Sequence, residues 1–461
     1  MYKFSRNLFA LICSCILLCV NPLFVYASIP AQTDQFLNEL EKAHFNYFQK
    51  HSEETSGLTR DNSRSDAAVS IAAVGFSLSC HIIAAERQYI TRETARKYVL
   101  KTLRTLWNLP QGDGSTGVAG YKGFFYHFLD PKTGLRTWNC ELSTIDTALL
   151  MAGVLSCENY FDQNHEEEKE IRGLAAKLFN RVEWDWAYRP SGFITMGWNP
   201  EAGKGFLKSE WSMYCEGPIL ILMAAGSPTH PVPAEAWSNY CKNYKLQKSY
   251  GKERLNFSPT YGYQYPQCWI DFRSIKDKEV EKLGFDYFEN ARRTLLAHHN
   301  YAIANPMKWK DYGKDCWGLT ACDGPGGEKK KFNGKEVEFR GYSARGLPPE
   351  ECDDGTIAPT AIAASVPYAP DMVLDTLKIW RKKRPEIWGD CGFYDAFNPS
   401  FDESKPSGWV DPAFLGIDQG PIVIMIENYR SGFLWNLMKK NDVIVQGLKK
   451  SGFSGGWLNS R

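Results

Sequence analysis

Apolar residues recur along most of this chain at the three- and four-residue spacing of helices, and few stretches alternate as a strand does. In the stretch 33–54, Leu37, Leu40 and Phe48 belong to one stripe, which predicts an amphipathic helix. The stretch 66–87 is rich in Ala, Val and Ile with few charges, which predicts a helix buried on most sides. The same reasoning predicts further helices near 91–109, 144–155, 168–182, 218–225, 233–244, 280–304, 370–383 and 421–440.

Start signals accompany several of these helices. Thr91 can accept a hydrogen bond from the first-turn backbone, and Ser143 can do the same for the fourth helix, where Asp146 completes a capping box. Proline has no N–H to leave unsatisfied in a first turn, so Pro218 and Pro421 also predict helix starts.

Long loops rich in glycine and aromatic residues separate the helices, chiefly at 112–137, 184–214 and 306–359. No Pro- or Ser-rich linker divides the chain, so one all-α domain over 28–461 is predicted. A single helical domain of this length closes most readily as a toroid of concentric helix pairs. That arrangement gathers the loops into a funnel at one end, where we expect the chemistry.

The N-terminus has the pattern of an export signal. Lys3 and Arg6 precede an apolar run over 8–20, and small residues around Ala27 suit a signal peptidase. We therefore expect residues 1–27 to be a signal peptide and the mature protein to be periplasmic or secreted, with no membrane segment after cleavage. A monomer is the expected form.

Composition narrows the function classes. The 54 Lys and Arg residues nearly balance 53 Asp and Glu residues, which argues against a nucleic-acid partner. The glycine motif at 112–117 follows a helix end where a dinucleotide site needs a strand, so no cofactor is predicted. The ten cysteines after the signal show no CxxC pair, which predicts no metal site and mostly buried thiols. Cys316 and Cys322 are the pair best placed for an optional disulfide.

What remains is a set of carboxylates beside aromatic residues at predicted loop–helix junctions. Glu216 stands just before Pro218, with Trp198, Trp211 and Tyr214 nearby in sequence, and an aromatic setting would raise its pKa as a general acid requires. These rings are candidate platforms for a sugar.

Two further junctions carry aspartates. Asp395 is flanked by aromatic residues in a loop, and Asp418 precedes the helix predicted at Pro421. Either could be a base or could hydrogen-bond sugar hydroxyls. Asp146 can be read equally as a cap or as a functional residue, whereas Glu141 is harder to explain structurally. The recurrence of carboxylate and aromatic residues favours a glycosidase.

Five stretches resemble the bacterial glucoamylase-like family, which includes glycoside hydrolase family 144, over residues 35–439. They are 143–150 (STIDTALL), 226–231 (GSPTHP), 354–361 (DGTIAPTA), 392–398 (GFYDAFN) and 416–432. The resemblance implies an (α/α)6 toroid and an anomer-inverting hydrolase of β-1,2-glucan. The stretch 214–218 (YCEGP) departs from the family pattern, in which Asn often precedes the Glu.

The expected mechanism assigns proton donation to Glu216, and activation of water to Asp395 by preference or Asp146 next. The oligo- or polysaccharide would stack on rings such as Trp198 and Trp211. Other residues would hold its hydroxyls: Arg60, Asp61, Glu141, Tyr214, Tyr394, Asp418 and Gln419. Two alternatives stay open, a β-1,2-glucan transglycosylase and a glycan-binding protein without turnover.

Overall fold

The computed structural model describes residues 29–461, so the predicted signal peptide lies outside the described residues. Within this range there are sixteen α-helices, and two short 3-10 helices at Pro385–Ile387 and Gly456–Ser460. The α-helices are α1 (Ala31–Lys50), α2 (Ile71–Glu86), α3 (Arg92–Asn108), α4 (Thr144–Tyr160), α5 (Glu166–Asn180), α6 (Trp184–Ala187), α7 (Pro218–Gly226), α8 (Glu235–Cys241), α9 (Tyr261–Trp269), α10 (Lys278–Leu283), α11 (Tyr287–Ala304), α12 (Pro359–Ala363), α13 (Pro370–Lys383), α14 (Gly416–Arg430), α15 (Phe433–Met438) and α16 (Asp442–Lys450).

The strands are short and lie in the loops between helices. They are β1 (Val69–Ser70), β2 (Gly120–Tyr121), β3 (Phe124–Phe125), β4 (Phe128–Leu129), β5 (Leu142–Ser143), β6 (Gly197–Asn199), β7 (Gly205–Phe206), β8 (Leu246–Ser249), β9 (Lys252–Leu255), β10 (Glu328–Phe332), β11 (Lys335–Phe339), β12 (Trp388–Gly389), β13 (Gly392–Phe393), β14 (Phe397–Asn398) and β15 (Trp409–Val410). Each pairs antiparallel, and the largest sheet among the described residues is β5-β6-β7. The fold is therefore helical, with strands that shape its loops.

The helices are of two kinds. Helices α2, α4, α7, α9, α12 and α14 are buried on almost every side. Others, such as α1, α3, α5 and α13, bury one stripe and expose the other face. A helix that is apolar all round must be covered by neighbours, whereas an amphipathic helix can cover it on one side. The two kinds alternate along much of the chain and pack in pairs such as α1 with α14 and α4 with α5.

Several predicted boundaries are confirmed. Thr91 caps α3 by accepting a hydrogen bond from the Thr94 N–H at 3.0 Å, and Ser143 caps α4. Pro218 is the first residue of α7. Each of these signals acts within one turn of the backbone, which is why sequence alone identifies them.

Other boundaries differ. The helix predicted at 280–304 is two helices, because Gly284 ends α10 in the left-handed conformation with φ of 76° and Asp286 caps α11. Helix α14 begins at Gly416, so Pro421 lies inside it, and Asp418 is in its first turn. Helix α9 was not predicted because Pro266 lies inside it.

The cysteines are all thiols in the described chain. Cys316 and Cys322, predicted as an optional disulfide, are both free and buried. Cys322 instead pairs its backbone with Ser343 across the 306–359 loop. None of the helices within 29–461 combines the length and apolar character needed to cross a bilayer.

Candidate active site

The N-terminal ends of the buried helices bring together the carboxylates that the sequence indicates. Asp146 lies in the first turn of α4, Glu216 just before α7, and Asp418 in the first turn of α14. Tyr261 begins α9. A helix N-terminus carries partial positive charge and free N–H groups, so it is a favourable place for acidic side chains.

A cavity of about 270 Å³ lies among these helix ends. It is lined by Asp61, Asn62, Arg64, Ser70, His127, Phe128, Asp146, Asp323, Tyr342, Leu415 and Ile417. Asp395 contacts the lining through the Asp323 N–H, and Asp418 follows the lining residue Ile417 in the chain. Glu216 is not in the lining, but the charge of the lining residue Asp146 acts on it.

Glu216 has the environment of a general acid. Burial, with a smaller effect from the Asp146 carboxylate, raises the pKa of Glu216 to about 7. Tyr261 and Tyr265, one turn apart on α9, are coupled to the Glu216 charge, and Tyr265 is coupled to Asp418 as well. Glu216 can therefore hold a proton near neutral pH.

Asp395 and Asp418 form a buried carboxyl pair. Oδ2 of Asp395 accepts a hydrogen bond from the Asp323 N–H at 2.7 Å. Oδ1 of Asp395 and Oδ2 of Asp418 receive no other donor, and the two side chains are within hydrogen-bonding reach of each other. Burial raises the pKa of Asp395 to about 7, and burial together with the Asp395 charge raises the pKa of Asp418 well above its ordinary value. The hydrogen bond between the two lowers the pKa of Asp395 and raises the pKa of Asp418. Asp418 is therefore the member that holds a proton and Asp395 the one that ionises.

Two cations balance the remaining acids at the cavity. His127 lies between Glu141, at 2.9 Å from Nδ1, and Asp146, at 3.7 Å from Nε2. Burial opposes its charge, but Asp146 and Glu141 outweigh burial and raise the pKa of His127 to about 9. Arg64 donates from Nη2 to Asp323 at 2.8 Å and to both oxygens of Asp411 at 3.0 Å.

Each of these two clusters brings three potential metal ligands within 4.8 Å of one another, namely His127 with Glu141 and Asp146, and Asp323 with Asp395 and Asp411. A cation of the protein is already in contact with each cluster, since the His127 ring belongs to the first and the Arg64 guanidinium donates to Asp323 and Asp411 of the second.

The interpretation of Asp146 as a cap is confirmed, and its catalytic role stays a prediction. Its N–H donates to Ser143 Oγ at 3.2 Å and Ser143 Oγ donates back to its carboxylate, which completes the capping box. The same carboxylate lines the cavity. Asp61 also lines the cavity and accepts from Asn62 Nδ2 at 3.0 Å, and burial raises the pKa of Asp61.

Two of the predicted sugar platforms are core residues. Trp211 is buried, and its indole Nε1 donates to Thr144 Oγ1 at 3.0 Å. Tyr214 is buried against Tyr244 and Tyr287. Assigning these two rings to substrate contact was wrong, because a sequence pattern does not distinguish a ring at a cleft from a ring in the core.

Three other predicted residues are engaged away from the cavity lining. Trp198, in β6, packs against Tyr121 and Trp186. Tyr394 packs against Phe414. Arg60 donates to Glu53 at 2.8 Å and to the Ser65 carbonyl at 3.1 Å.

Gln419 is buried, and both ends of its amide are hydrogen-bonded within the fold. Its carbonyl oxygen pairs with His44, and its Nε2 donates to the Phe393 carbonyl at 3.2 Å. The assignment of Gln419 to sugar hydroxyls is therefore corrected to a structural one. Glu141, also predicted to hold a sugar hydroxyl, lies 2.9 Å from Nδ1 of His127 and orients that ring.

Sequence reasoning missed several cavity residues, all of which come from loops. They are Arg64, His127, Phe128, Asp323 and Tyr342, together with Asp411, which is outside the lining and accepts a hydrogen bond from Arg64. Asp323 follows Cys322 in a stretch rich in Gly and Pro, and an acidic residue in a turn of that kind is the one available signal.

A model of the family described as "Putative glucoamylase" matches residues 208–442, about half of the chain. The chain belongs to this family. The matched residues include Glu216, Asp323, Asp395 and Asp418, whereas Asp146 and His127 lie before them.

Similar proteins include an exo beta-1,2-glucooligosaccharide sophorohydrolase (non-reducing end) of Parabacteroides distasonis. It is 29% identical over an alignment of 453 residues, which covers 91% of this chain and 58% of that relative, so the chain spans less than two thirds of the relative's length.

Solved structures similar to this chain include a beta-1,2-glucanase from Parabacteroides distasonis, with a TM-score of 0.79 at 27% identity over 92% of this chain and 60% of that one. Another is an endo-beta-1,2-glucanase from Chitinophaga pinensis in a complex with sophorotriose and glucose. It has a TM-score of 0.80 at 28% identity, over 92% of this chain and 99% of that one.

Proposed function

We propose that this chain is a glycoside hydrolase that cleaves β-1,2-glucan. The relatives that support this substrate are a sophorohydrolase and endo-β-1,2-glucanases. The observation that carries the proposal is the Glu216 carboxyl, which burial gives a pKa of about 7 beside a cavity lined by carboxylates. A protonated carboxyl at neutral pH is what a glycosidase needs as its general acid.

In the proposed reaction Glu216 gives its proton to the glycosidic oxygen, directly or through a hydroxyl group or water. Bond cleavage leaves positive charge on the sugar ring, and the carboxylates of Asp61 and Asp146 face that charge from the cavity wall. His127, cationic up to a pKa of about 9, keeps these carboxylates from repelling one another.

The base in this scheme is the pair of Asp395 and Asp418. Because Asp418 holds a proton, Asp395 ionises and can accept a proton from a water molecule in the cavity. Attack by that water on the face opposite the leaving group inverts the anomeric configuration. Asp146 is the second candidate for this role. Water displaces the leaving sugar at the anomeric carbon while Glu216 gives a proton and the aspartate takes one, so the scheme uses no cofactor.

We also infer that the helices close as an (α/α)6 toroid. The six helices that are buried on all sides would form the inner ring, with the amphipathic helices outside it. Two contacts support closure, because α14 packs against both α1 and α2.

We further propose that the protein is exported as a monomer that begins after Ala27. The intact mass of the secreted protein would test the cleavage site, and light scattering would test the oligomeric state.

The test is release of reducing sugar from linear β-1,2-glucan by the mature protein, followed by product size and by anomeric NMR. Glu216→Gln keeps the shape of the side chain and removes the proton, so we expect about a 10³-fold loss of rate. Inverted products of sophorose or short oligosaccharides would support hydrolysis. Products longer than the substrate would indicate transfer instead.

Glu158→Gln is the matched control. Glu158 is another glutamate whose pKa burial raises, to about 6, but it lies on α4 near Asp442 and not in the cavity lining. Its substitution should leave the rate unchanged. Binding of the glucan without release of sugar by the wild-type protein would contradict the proposal and favour a binding protein.

A further inference from the structure

Trp138 is a large aromatic side chain that the fold leaves in solvent, with 63% of its surface exposed. Its ring lies 5.3 Å from Phe128, and Phe128 stacks at 3.9 Å and 13° on His127. Phe128 and His127 both line the cavity. The three rings therefore make a continuous aromatic row that leads from the cavity to the protein surface.

The backbone that presents Trp138 is strained. The Cys140 N–H donates to the Thr137 carbonyl at 3.2 Å, which closes a tight turn with Trp138 and Asn139 at its centre. Both central residues have positive φ, 56° and 52°. Turns of this kind favour Asn, Asp and Gly, because a larger side chain crowds the backbone there. A tryptophan kept at such a position lowers stability, which is a pattern found at functional sites.

The turn is also held rigidly. The Thr137 N–H donates to the Phe128 carbonyl at 3.2 Å, and the Cys140 thiol donates to the same carbonyl at 3.3 Å. Arg136 donates from Nε to the Cys140 carbonyl at 2.8 Å and from Nη1 to Glu201 at 2.7 Å. A ligand that stacks on Trp138 would therefore lose little free energy in ordering the turn.

We propose that Trp138 is an outer glucan-binding subsite, which stacks on a sugar of the chain that extends beyond the cavity past Phe128. The inference rests on the proposed function for the identity of the ligand. Sugar rings in a β-linked glucan present C–H faces, and an exposed, preorganised indole face matches these. Phe128 supports the indole from the cavity side and makes the surface continuous with the cavity.

The experiment compares Trp138→Asn with wild type on long linear β-1,2-glucan and on the shortest oligosaccharide that wild type cleaves. Asparagine accepts positive φ, so the variant should unfold at the same or a higher temperature than wild type. We expect kcat/KM to fall about tenfold on the long substrate, mainly through KM, because an aromatic contact contributes on that order to binding. The value for the short substrate should not change.

Tyr250→Asn is the matched control. Tyr250 is 50% exposed, has φ of 48°, and occupies the turn of the β8–β9 hairpin, away from the cavity lining. It loses the same kind of side chain from the same kind of backbone position, so its kinetics should match wild type on both substrates.

The subsite would be overturned if the ratio of kcat/KM on the long substrate to kcat/KM on the short substrate were the same in Trp138→Asn as in wild type. A parallel loss on both substrates is one such outcome. Failure of the proposed function is visible separately, because wild type would then release no sugar. In that case calorimetric titration of long β-1,2-glucan into wild type and Trp138→Asn decides. Weaker binding by the variant supports the subsite, whereas equal binding or none refutes it.

Discussion

Buried carboxylates occur in two settings in this molecule, and the contrast between them separates structure from chemistry. Asp354 is 1% exposed and receives hydrogen bonds from Arg345 at 2.8 and 3.0 Å. Burial alone would raise the pKa of Asp354, but the hydrogen bonds and charge of Arg345 outweigh it and lower the pKa. Asp395 is equally buried, yet its closest side-chain partner is another carboxyl group, and its pKa rises to about 7.

A raised pKa alone does not mark the site. Burial and the neighbouring Glu427 raise the pKa of Glu41 to about 8 although Arg430 donates to it at 3.0 Å. Glu41 lies where α1 packs against α14 and is absent from the cavity lining. What distinguishes Glu216 and Asp395 is the combination of desolvation, no contacting Arg or Lys, and a neighbour that lines the cavity.

The largest expected effect is on the carboxyl pair. Asp395→Asn removes the group that ionises, so we expect kcat to fall about 10³-fold. Asp418→Asn should cost about tenfold or less, because an asparagine N–H can replace the proton that Asp418 donates to Asp395. Steady-state kinetics of the two variants on β-1,2-glucan checks the order. A larger loss in Asp418→Asn would reverse the roles assigned to the pair.

The next prediction concerns the buried ion pair of Arg345 and Asp354. Arg345→Met leaves Asp354 buried without its cation and removes a donor from the carbonyls of Cys322, Arg340 and Gly341. We expect a loss of about 3–5 kcal/mol in the free energy of unfolding, measured by urea denaturation.

A double variant, Arg345→Met with Asp354→Leu, should recover part of that loss, because it removes the unpaired charge. Arg104→Met is the exposed counterpart. Arg104 and Glu170 are 53% and 41% exposed in their ion pair, so its loss should change stability by about 1 kcal/mol or less. Equal losses in Arg345→Met and Arg104→Met would contradict the distinction between buried and exposed pairs.

Sequence predicts the part of this site that depends on local rules. The Ser143 cap places Asp146, and Pro218 places Glu216 at a helix mouth. Asp323 and His127 obey no such rule. Asp323 reaches the site because its N–H binds Asp395, 72 residues later in the chain. Long-range pairing of this kind leaves no periodic signal in the loops that form it.

The errors have the same origin. Trp211 and Tyr214 sit beside Glu216 in sequence, but only packing decides that these rings turn into the core. Trp138, five residues before Ser143, receives no role from the sequence, because positive φ at a tryptophan is not readable from sequence.

A further effect concerns His127, the cation that balances the acidic residues of the cavity. The pKa of His127 in the folded protein, about 9, exceeds its value of 6.5 in an unfolded chain. The stabilisation from His127 is therefore fully present below pH 6.5 and is lost as the pH rises through 9. Its size should be about 1–2 kcal/mol, less than the whole shift would give, because the ring is 30% exposed.

The difference in unfolding free energy between wild type and His127→Gln isolates this contribution. It should be measured from pH 6 to pH 10, a range that includes both pKa values of His127, 6.5 in the unfolded chain and about 9 in the folded protein. It should shrink as the pH rises, since glutamine never carries the charge. His51→Gln is the control: burial lowers the pKa of His51, so its difference from wild type should change only below about pH 7.5, where the unfolded chain takes up a proton, and should stay constant from there to pH 10. A difference for His127→Gln that stays equally constant would mean that Asp146 and Glu141 do not hold the imidazolium, and that their charges are balanced by solvent.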